Sequence, residues 1–306
     1  REERIIAVLP FFHIYGMEVI LNLGLWQGAT LVTMPRFELE PFLALLQQHR
    51  VTLGFVAPPL VLTLAKHSAV DRYDLSALRK LFSGAAPLDA ALEAACTARV
   101  GCSIQQGYGL TEASPATHMR SDESGKHSPG TVGPPLPNTE CRIVDIATGR
   151  ELGCGEDGEV LVRGPQVMKG YLNNPEATAA TIDPDGWLHT GDIGHADEDG
   201  CLTIVDRLKE LIKYKGFQVP PAELEAVLCT HPCVGDAAVI PLPDEECGEV
   251  PKAFVVLKGK ASPEELMAYV AARVAPYKKI RAVEAIDVIP KSPSGKILRR
   301  VLKERG

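Results

Sequence analysis

The sequence predicts an α/β protein: a large α/β domain over residues 1–208, containing a β-barrel-like subdomain from about residue 130, then a small α+β domain over residues 209–306. Three observations predict it. Through the first third, short apolar runs alternate with helix-length amphipathic ones, the pattern of a buried, largely parallel sheet covered by helices. From about Gly130 to Asp206 the texture changes to glycine- and proline-rich turns between short strands. Beyond Arg207 strands and helices alternate again and the charge changes sign. Residues 209–306 carry 16 Lys and Arg against 13 Asp and Glu, net +3, which leaves −10 for residues 1–208 of a total of −7.

In order, the runs Ile5–Leu9, Thr30–Thr33, Leu53–Ala57, Lys80–Phe82 and Ser103–Gln106 read as strands, short and rich in apolar residues. Between them Met17–Gln27, Pro41–His49, Leu60–His67 and Leu88–Arg99 repeat apolar residues at helical spacing. Cys141–Ile146, Glu159–Val162 and Leu202–Val205 are strands of the subdomain. The last part reads as strand Glu210–Tyr214, helix Ala222–Thr230 opened by Pro220-Pro221, strands Ala237–Pro241 and Ala253–Leu257, helix Pro263–Val274 and strand Val283–Ile289.

Composition narrows the function classes. With 45% apolar and 23% charged residues in 306, the chain has material for a sizeable core. A net charge of −7 argues against a general nucleic-acid binder, although the basic last third suits phosphorylated small molecules. No apolar run reaches the ~18 residues of a membrane span, and Arg1-Glu2-Glu3-Arg4 has no signal-peptide layout. Eight cysteines without a CxxC pair read as free thiols of a reducing compartment. Cys229, His231 and Cys233 carry metal-ligating atoms, but no second ligand pair lies at finger or ribbon spacing. The end, Glu304-Arg305-Gly306, is no peroxisomal tripeptide, so cytoplasm is the expected location.

Several motifs carry chemistry. Gly153-Cys-Gly155-Glu-Asp-Gly158 matches a dinucleotide fingerprint literally, but a strand instead of a helix follows it, and it reads as a turn. Around Gln106-Gly-Tyr-Gly-Leu-Thr-Glu112, two glycines leave the backbone bare beside Tyr108, where a flat ligand can stack. Thr111 offers a hydroxyl to a phosphate and Glu112 a hard oxygen to Mg²⁺; an ordinary strand-to-helix turn is the other reading. Asp192, in what reads as a glycine-flanked turn of Gly186-Trp-Leu-His-Thr-Gly-Asp192, can accept the hydroxyls of a ribose, with Arg207 bracing the same nucleotide. Lys213 and Lys215 fall at alternate positions of a strand ending at Gly216; a solvated strand face would look the same. Lys296 sits at the tip of the loop Pro290-Lys-Ser-Pro-Ser-Gly-Lys296.

Taken in this order, GYGLTE, GWLHTGD, VDRLKELIKYKGFQVPPAELE and PKSPSGKILR resemble the acyl-adenylate-forming superfamily, most closely the 4-coumarate–CoA ligases and ligase-like acyl-CoA synthetases. The similarity runs from Leu9-Pro-Phe-Phe-His-Ile-Tyr15 to Arg299. It implies an ATP-dependent carboxylic acid–CoA ligase, with ATP and coenzyme A as substrates, Mg²⁺ as the metal, and a small domain that rotates between half-reactions. It further implies that Tyr108 stacks on adenine, with Gly84, Ala85, Ala86, Gln106 and Gly107 lining the nucleotide and acyl slot. Thr111 meets the α-phosphate, Glu112 holds Mg²⁺, and Asp192 with Arg207 takes the ribose. Lys296 serves adenylation, Lys209 marks the hinge and Lys213 enters for the thioester half, both near the acyl group. Arg36, Lys215 and Gly216 approach coenzyme A, and His13 gates the thiol's path. Tyr15 and Pro115 line the acyl end; the small residues after Pro115 suggest a roomy pocket for aryl or medium-chain acids.

The sequence departs from the family in one respect. Relatives carry a Ser/Thr/Gly-rich phosphate loop upstream of the His13 motif, and these residues hold none, which with the abrupt start at Arg1 leads us to expect a piece of a longer chain. The competing expectations are a truncated, non-catalytic nucleotide- or coenzyme A-binding protein and a luciferase-like oxygenase or carrier-loading adenylation domain.

Overall fold

Parallel pairing dominates the first sheet because each strand is followed by a helical return. Strands β1 (Arg4–Ala7), β2 (Thr30–Thr33), β3 (Leu53–Val56), β4 (Lys80–Ser83), β5 (Ser103–Gly109) and β6 (Ala116–Met119) lie in the order β2-β1-β3-β4-β5-β6. The first five are parallel, and β6 runs antiparallel to β5. The structure is a computed structural model and describes residues 2–120, 129–292 and 295–305; Pro293 and Ser294 of the Lys296 loop lie outside the described residues.

Both faces of this sheet are packed. Ile6, Val56 and Leu81 join Phe42, Leu43, Leu46, Leu60 and Leu64 from α2 (Leu39–Gln48) and α3 (Pro58–Lys66), beneath Cys96 of α4 (Ala90–Val100). Their neighbours along each strand alternate to the other face, where Ile5, Ala7 and Phe55 meet Ile20, with Tyr15 and Phe82 packed against them. Each such fully buried aliphatic or aromatic side chain contributes ~1.5–3 kcal/mol. α4 is opened by the Asp89 carboxylate, which accepts the Ala91 and Leu92 N–H groups, and closed by Gly101 at φ +76°. The run expected as one helix at Met17–Gln27 is wound as a π-helix over Tyr15–Asn22 and continues as the short α1 (Leu23–Trp26). Gly16 permits its start, since a Cβ there would stand 2.3 Å from the Pro10 carbonyl oxygen.

The second sheet has β7 (Glu140–Val144), β8 (Gly158–Arg163), β9 (Leu188–Ala196) and β10 (Leu202–Arg207) in the order β10-β9-β8-β7, with α5 (Pro175–Thr181) between β8 and β9 in sequence. Val132, Ile143, Val160, Val162 and Leu202 form its core, and Tyr108 packs against them. Two guanidinium groups lie against Trp187, Arg142 at 4.2 Å and Arg163 at 4.6 Å from its ring. Here one expectation is corrected: Asp192 is not in a turn but within β9. The reversal lies earlier, where the Asp183 carboxylate accepts the Asp185 and Trp187 N–H groups and Gly186 takes φ +82°.

The chain divides into two compact units, one running to Thr190 with Gly194–Ile204, the other comprising Gly191–Ile193, Val205–Ser292 and the stretch from Lys296. In the second, β11 (Ile212–Tyr214), β12 (Phe217–Val219), β13 (Val234–Asp244), β14 (Gly248–Leu257) and β15 (Ala282–Ala285) form a mixed sheet built around the β13–β14 hairpin. Leu224 and Leu228 of α6 (Pro221–Cys229) and Leu266 and Val270 of α7 (Pro263–Ala271) pack on Val239, Ala253 and Val255. Ala238, Ile240 and Phe254 alternate to the opposite face, with Ile289 and with Leu302 of α8 (Arg299–Lys303).

No helix among the described residues is long and apolar enough to cross a membrane. His231 accepts the Cys233 N–H at Nδ1 (3.2 Å) and sets its ring edge-on to Tyr269, a structural use of the residue between the two cysteines.

Candidate functional site

In an α/β sheet the carboxyl ends of parallel strands are where loops converge and ligands bind. Ser83 pairs with Gln106 across β4 and β5, so Gly84, Ala85 and Ala86 leave the sheet beside Gly107 and Tyr108. Tyr15 closes one side. Its ring lies 3.1–3.3 Å from where a Gly84 Cβ would stand, so this glycine is what lets the ring approach. Its hydroxyl donates to the Phe82 carbonyl (3.2 Å), and burial pushes the phenol pKa well above its ordinary value. Phe55 stacks on Phe82 at 5.3 Å and meets Tyr15 edge-on at 6.2 Å, giving the slot an aromatic floor. Ala85 adopts φ +73°, a conformation costing ~1–2 kcal/mol for a residue with a Cβ, and such strain concentrates at ligand sites. Ser83 Oγ is buried with no hydrogen-bond partner among the described residues.

Two residues expected to face ligand have other work here. Gln106 is 2% exposed; its Oε1 accepts the Leu88 N–H (3.2 Å) and its Nε2 donates to the Leu88 carbonyl (3.0 Å) and Glu93 (2.9 Å). Glu93 in turn pairs with Arg120 at 2.7 Å. The side chain of Gln106 therefore fixes the strand end instead of lining the slot. Gly109 is exposed, and it must be a glycine for its own chain's sake: a Cβ there would fall 2.1 Å from the Pro115 carbonyl oxygen, which accepts the Leu110 N–H at 2.9 Å. Gly107 is open by comparison, its nearest neighbour being the His118 carbonyl at 3.4 Å. Tyr108, between them, is half-buried.

Beyond β5 the chain makes a short 3₁₀ turn, Thr111–Ala113, with Thr111 exposed. Glu112 is held from a distant segment that the sequence reading missed. The Met168 N–H donates to its carbonyl (2.7 Å), and the Tyr171 hydroxyl donates to its Oε1 (2.8 Å), which raises the Tyr171 phenol pKa. Nothing in their spacing of 59 positions marks the pair in the sequence. One carboxylate oxygen engaged and one remaining suits Mg²⁺, which takes one or two carboxylates and completes its shell with phosphate and water. No cluster of three or more His, Cys, Asp or Glu able to hold a metal occurs among the described residues, so nucleotide phosphates would have to supply the other ligands.

His13 lies on the loop before the π-helix, its Nδ1 accepting the Tyr15 N–H at 3.2 Å. Arg36, exposed on the loop after β2, pairs with Glu38.

In the second unit, Asp192 and Arg207 are brought together across neighbouring strands, Arg207 Nε lying 3.3 Å from Asp192 Oδ1. Lys209 is exposed in the turn after β10, and Lys213 is exposed on β11, its N–H donating to Glu249 (2.8 Å). The alternation expected for Lys215 does not hold. Tyr214 pairs with Phe217, and Lys215 (φ +47°) and Gly216 (φ +84°) form the two-residue reversal between β11 and β12. Lys296 lies at the base of its loop instead of the tip. Its N–H donates to Ser292 Oγ (3.1 Å) and its carbonyl accepts the Ser292 N–H (2.8 Å).

The sequence profile of the AMP-binding enzyme family matches residues 1–172, and that of the AMP-binding enzyme C-terminal domain matches residues 223–296. The 4-coumarate–CoA ligase of Vanilla planifolia is 50% identical over 310 residues, covering 99% of this chain and 56% of that protein. ATP-bound MatB from Rhodopseudomonas palustris superposes with a TM-score of 0.90 at 31% identity, over 99% of this chain and 60% of that one. The anthranilate CoA ligase AuaEII in complex with anthranoyl-AMP superposes with a TM-score of 0.89 at 29% identity, again over 99% and 60%. The chain thus spans a little over half the length of the curated relative it matches.

Proposed function

The chain belongs to the AMP-binding enzyme family, and from that premise we propose that it is the part of an ATP-dependent acid–CoA ligase that binds the nucleotide and acyl group and supplies the catalytic lysines. The observation that carries the reading is the carboxyl end of β4 and β5 in the first sheet. There Gly84–Ala86 and Gly107–Thr111 emerge side by side, Tyr15 closes against Gly84, and Tyr171 braces Glu112. Residues 1–208 serve as the nucleotide-binding part and residues 209–306 as the small mobile domain.

In the first half-reaction a carboxylate oxygen of the acid attacks the α-phosphorus of ATP. The bond to the bridging oxygen breaks, and pyrophosphate leaves with that electron pair. Tyr108 provides the adenine platform, Asp192 with Arg207 the ribose contacts, Thr111 a donor to the α-phosphate, and Lys296 a cation between the attacking and phosphoryl oxygens. Charge on phosphate oxygens grows through this step, so positioned donors and cations account for most of the catalysis. Glu112 would hold Mg²⁺, which would supply charge neutralisation on the phosphates. In the second half, coenzyme A thiol gives up its proton to solvent, sulfur bonds to the acyl carbon, and the bond between that carbon and the oxygen bridging to phosphorus breaks, AMP departing with its electron pair. Lys213 and Lys209 belong to this half, with Lys215, Gly216 and Arg36 meeting the coenzyme and His13 on the thiol's path. The aromatic floor of Phe55, Phe82 and Tyr15 favours a planar aryl acid such as a hydroxycinnamate over a short aliphatic one.

The test is pyrophosphate release from the full-length gene product with ATP, Mg²⁺ and, separately, 4-coumarate, cinnamate, benzoate and hexanoate. Acid-dependent release, followed by thioester on adding coenzyme A, supports the ligase. Nucleotide binding without release for any acid overturns it in favour of a non-catalytic binding protein.

A further inference from the structure

Three residues beyond Lys296, one guanidinium gathers the second unit around itself. Arg299, its side chain 14% exposed, donates through Nε to the Val239 carbonyl of β13 (3.2 Å) and through Nη2 to Glu225 of α6 (2.7 Å). Its Nη1 pairs with Glu210, the residue after Lys209. Glu225 also accepts the Val239 N–H (2.8 Å), closing a ring of strand, helix and arginine. A third acid, Asp206, lies in the same charge field and accepts the Ala222 N–H at the start of α6 (2.8 Å). The base of the Lys296 loop is fixed from its other strand as well. Leu298 N–H donates to the Pro290 carbonyl (2.8 Å), and Lys291 pairs with Asp236 of β13 at 2.6 Å.

A long cation this deeply buried needs every donor matched, and a fork that reaches a carbonyl and two carboxylates on three separate segments does what a lysine's point charge cannot. Neither the adenylation step nor the thioester step uses Arg299, Glu210 or Glu225. We infer that Arg299 is a positioning residue for Lys296: it pins the base of the Lys296 loop to β13, to α6 and to the segment that carries Lys209. Lys296 is thereby delivered from a fixed base, and its placement is tied through Glu210 to the conformation of the strand-to-turn segment Asp206–Glu210. The inference rests on the ligase reading for the role of Lys296, and on geometry alone for the pinning.

The experiment compares R299Q, R299K and E210Q with wild type in the full-length product. Hydrogen exchange is followed on peptides covering Lys296–Leu298, and the two half-reactions are followed separately: pyrophosphate release, and thioester formation from supplied acyl-AMP. The expected result for R299Q is a tenfold or greater loss in the kcat of pyrophosphate release, thioester formation within about twofold of wild type, and faster exchange at Lys296–Leu298 with α7 peptides unchanged. R299K keeps the charge but not the fork and recovers only part. E210Q, which leaves the Glu225 arm intact and guards against a poorly folding R299Q, gives a smaller loss of the same half-reaction. Unchanged exchange at Lys296–Leu298, or equal losses in both half-reactions, overturns the proposal. Faster exchange in R299Q, with a wild-type protein that releases no pyrophosphate, upholds the pinning and sinks the ligase reading instead.

Discussion

Acid should loosen the first unit through a single imidazole. His118 is 1% exposed on β6, opposite Tyr108 in register. Its Nδ1 shares a hydrogen bond with Thr117 Oγ1 at 3.0 Å, Nε2 has no partner among the described residues, and burial lowers its pKa from 6.5 to about 4. The folded value lies below the unfolded one, so between about 4 and 6.5 the unfolded chain binds the extra proton. The stability contributed by the neutral ring is fully present above pH 6.5 and is lost as pH falls toward 4. At ~1.4 kcal/mol per unit the ceiling is about 3 kcal/mol, and roughly 2–3 kcal/mol is gone by a pH of about 4.5. The assay is urea unfolding, followed by far-ultraviolet circular dichroism across that window, for wild type and for the non-titrating His118→Gln. Wild type should lose stability more steeply than the variant on acidification. Parallel profiles would mean that His118 is not buried neutral, and the reasoning from desolvation would fail.

The two glycines flanking Tyr108 should respond differently. Gly109→Ala puts a Cβ 2.1 Å from the Pro115 oxygen and should cost ~1–3 kcal/mol in thermal or urea unfolding, with weakened nucleotide binding, whereas Gly107→Ala, at 3.4 Å from the nearest atom, should be close to neutral. Tyr171→Phe removes the hydroxyl from Glu112 and should raise the magnesium concentration needed for half-maximal pyrophosphate release by ~2–10-fold, the equivalent of ~0.5–1.5 kcal/mol; an unchanged magnesium titration would detach Tyr171 from the metal site. Because the Tyr15 hydrogen is donated to Phe82, a substrate phenol can only donate to the Tyr15 oxygen. Tyr15→Phe should therefore lower the kcat/KM ratio of 4-coumarate to cinnamate by ~2–10-fold, and an unaltered ratio would remove Tyr15 from phenol recognition. Lys296→Ala should abolish pyrophosphate release yet leave thioester formation from supplied acyl-AMP largely intact; equal loss in both would refute the division of labour between Lys296 and Lys213.

Much of the architecture was legible because apolar spacing reports burial directly. The β2 span Thr30–Thr33 coincides with its expected bounds, and α2, α3 and α6 fall within a few residues of theirs. What escaped was held by contacts remote in sequence. β6 is short and partly polar, and exists because β5 continues through Gly109 and offers it an edge. β9 was masked by its own glycines, which read as a turn until Asp183 is seen to take that role. α8 spans five residues, too few for a helical period to show, and is anchored by Leu302 and Arg299. The glycine-rich strings fall at the carboxyl ends of β4 and β5, but the side-chain partnerships there are not written in them. Gln106 is spent on the Leu88 main chain and on Glu93, and the brace on Glu112 comes from Tyr171, a residue whose partnership only the fold reveals.

The packing of Arg142 and Arg163 on Trp187 has an optical consequence. The chain contains two tryptophans, and they inhabit opposite environments: Trp187 is 8% exposed with two cations against its ring, Trp26 is 82% exposed. Their emissions should separate, the exposed indole red-shifted and open to iodide, the buried one shielded and sensitive to any movement of the two guanidinium groups. With Trp26→Phe, the remaining signal would come from the strand run that leads into Asp192, so the ribose contact proposed for Asp192 could be tested by light without attaching a label.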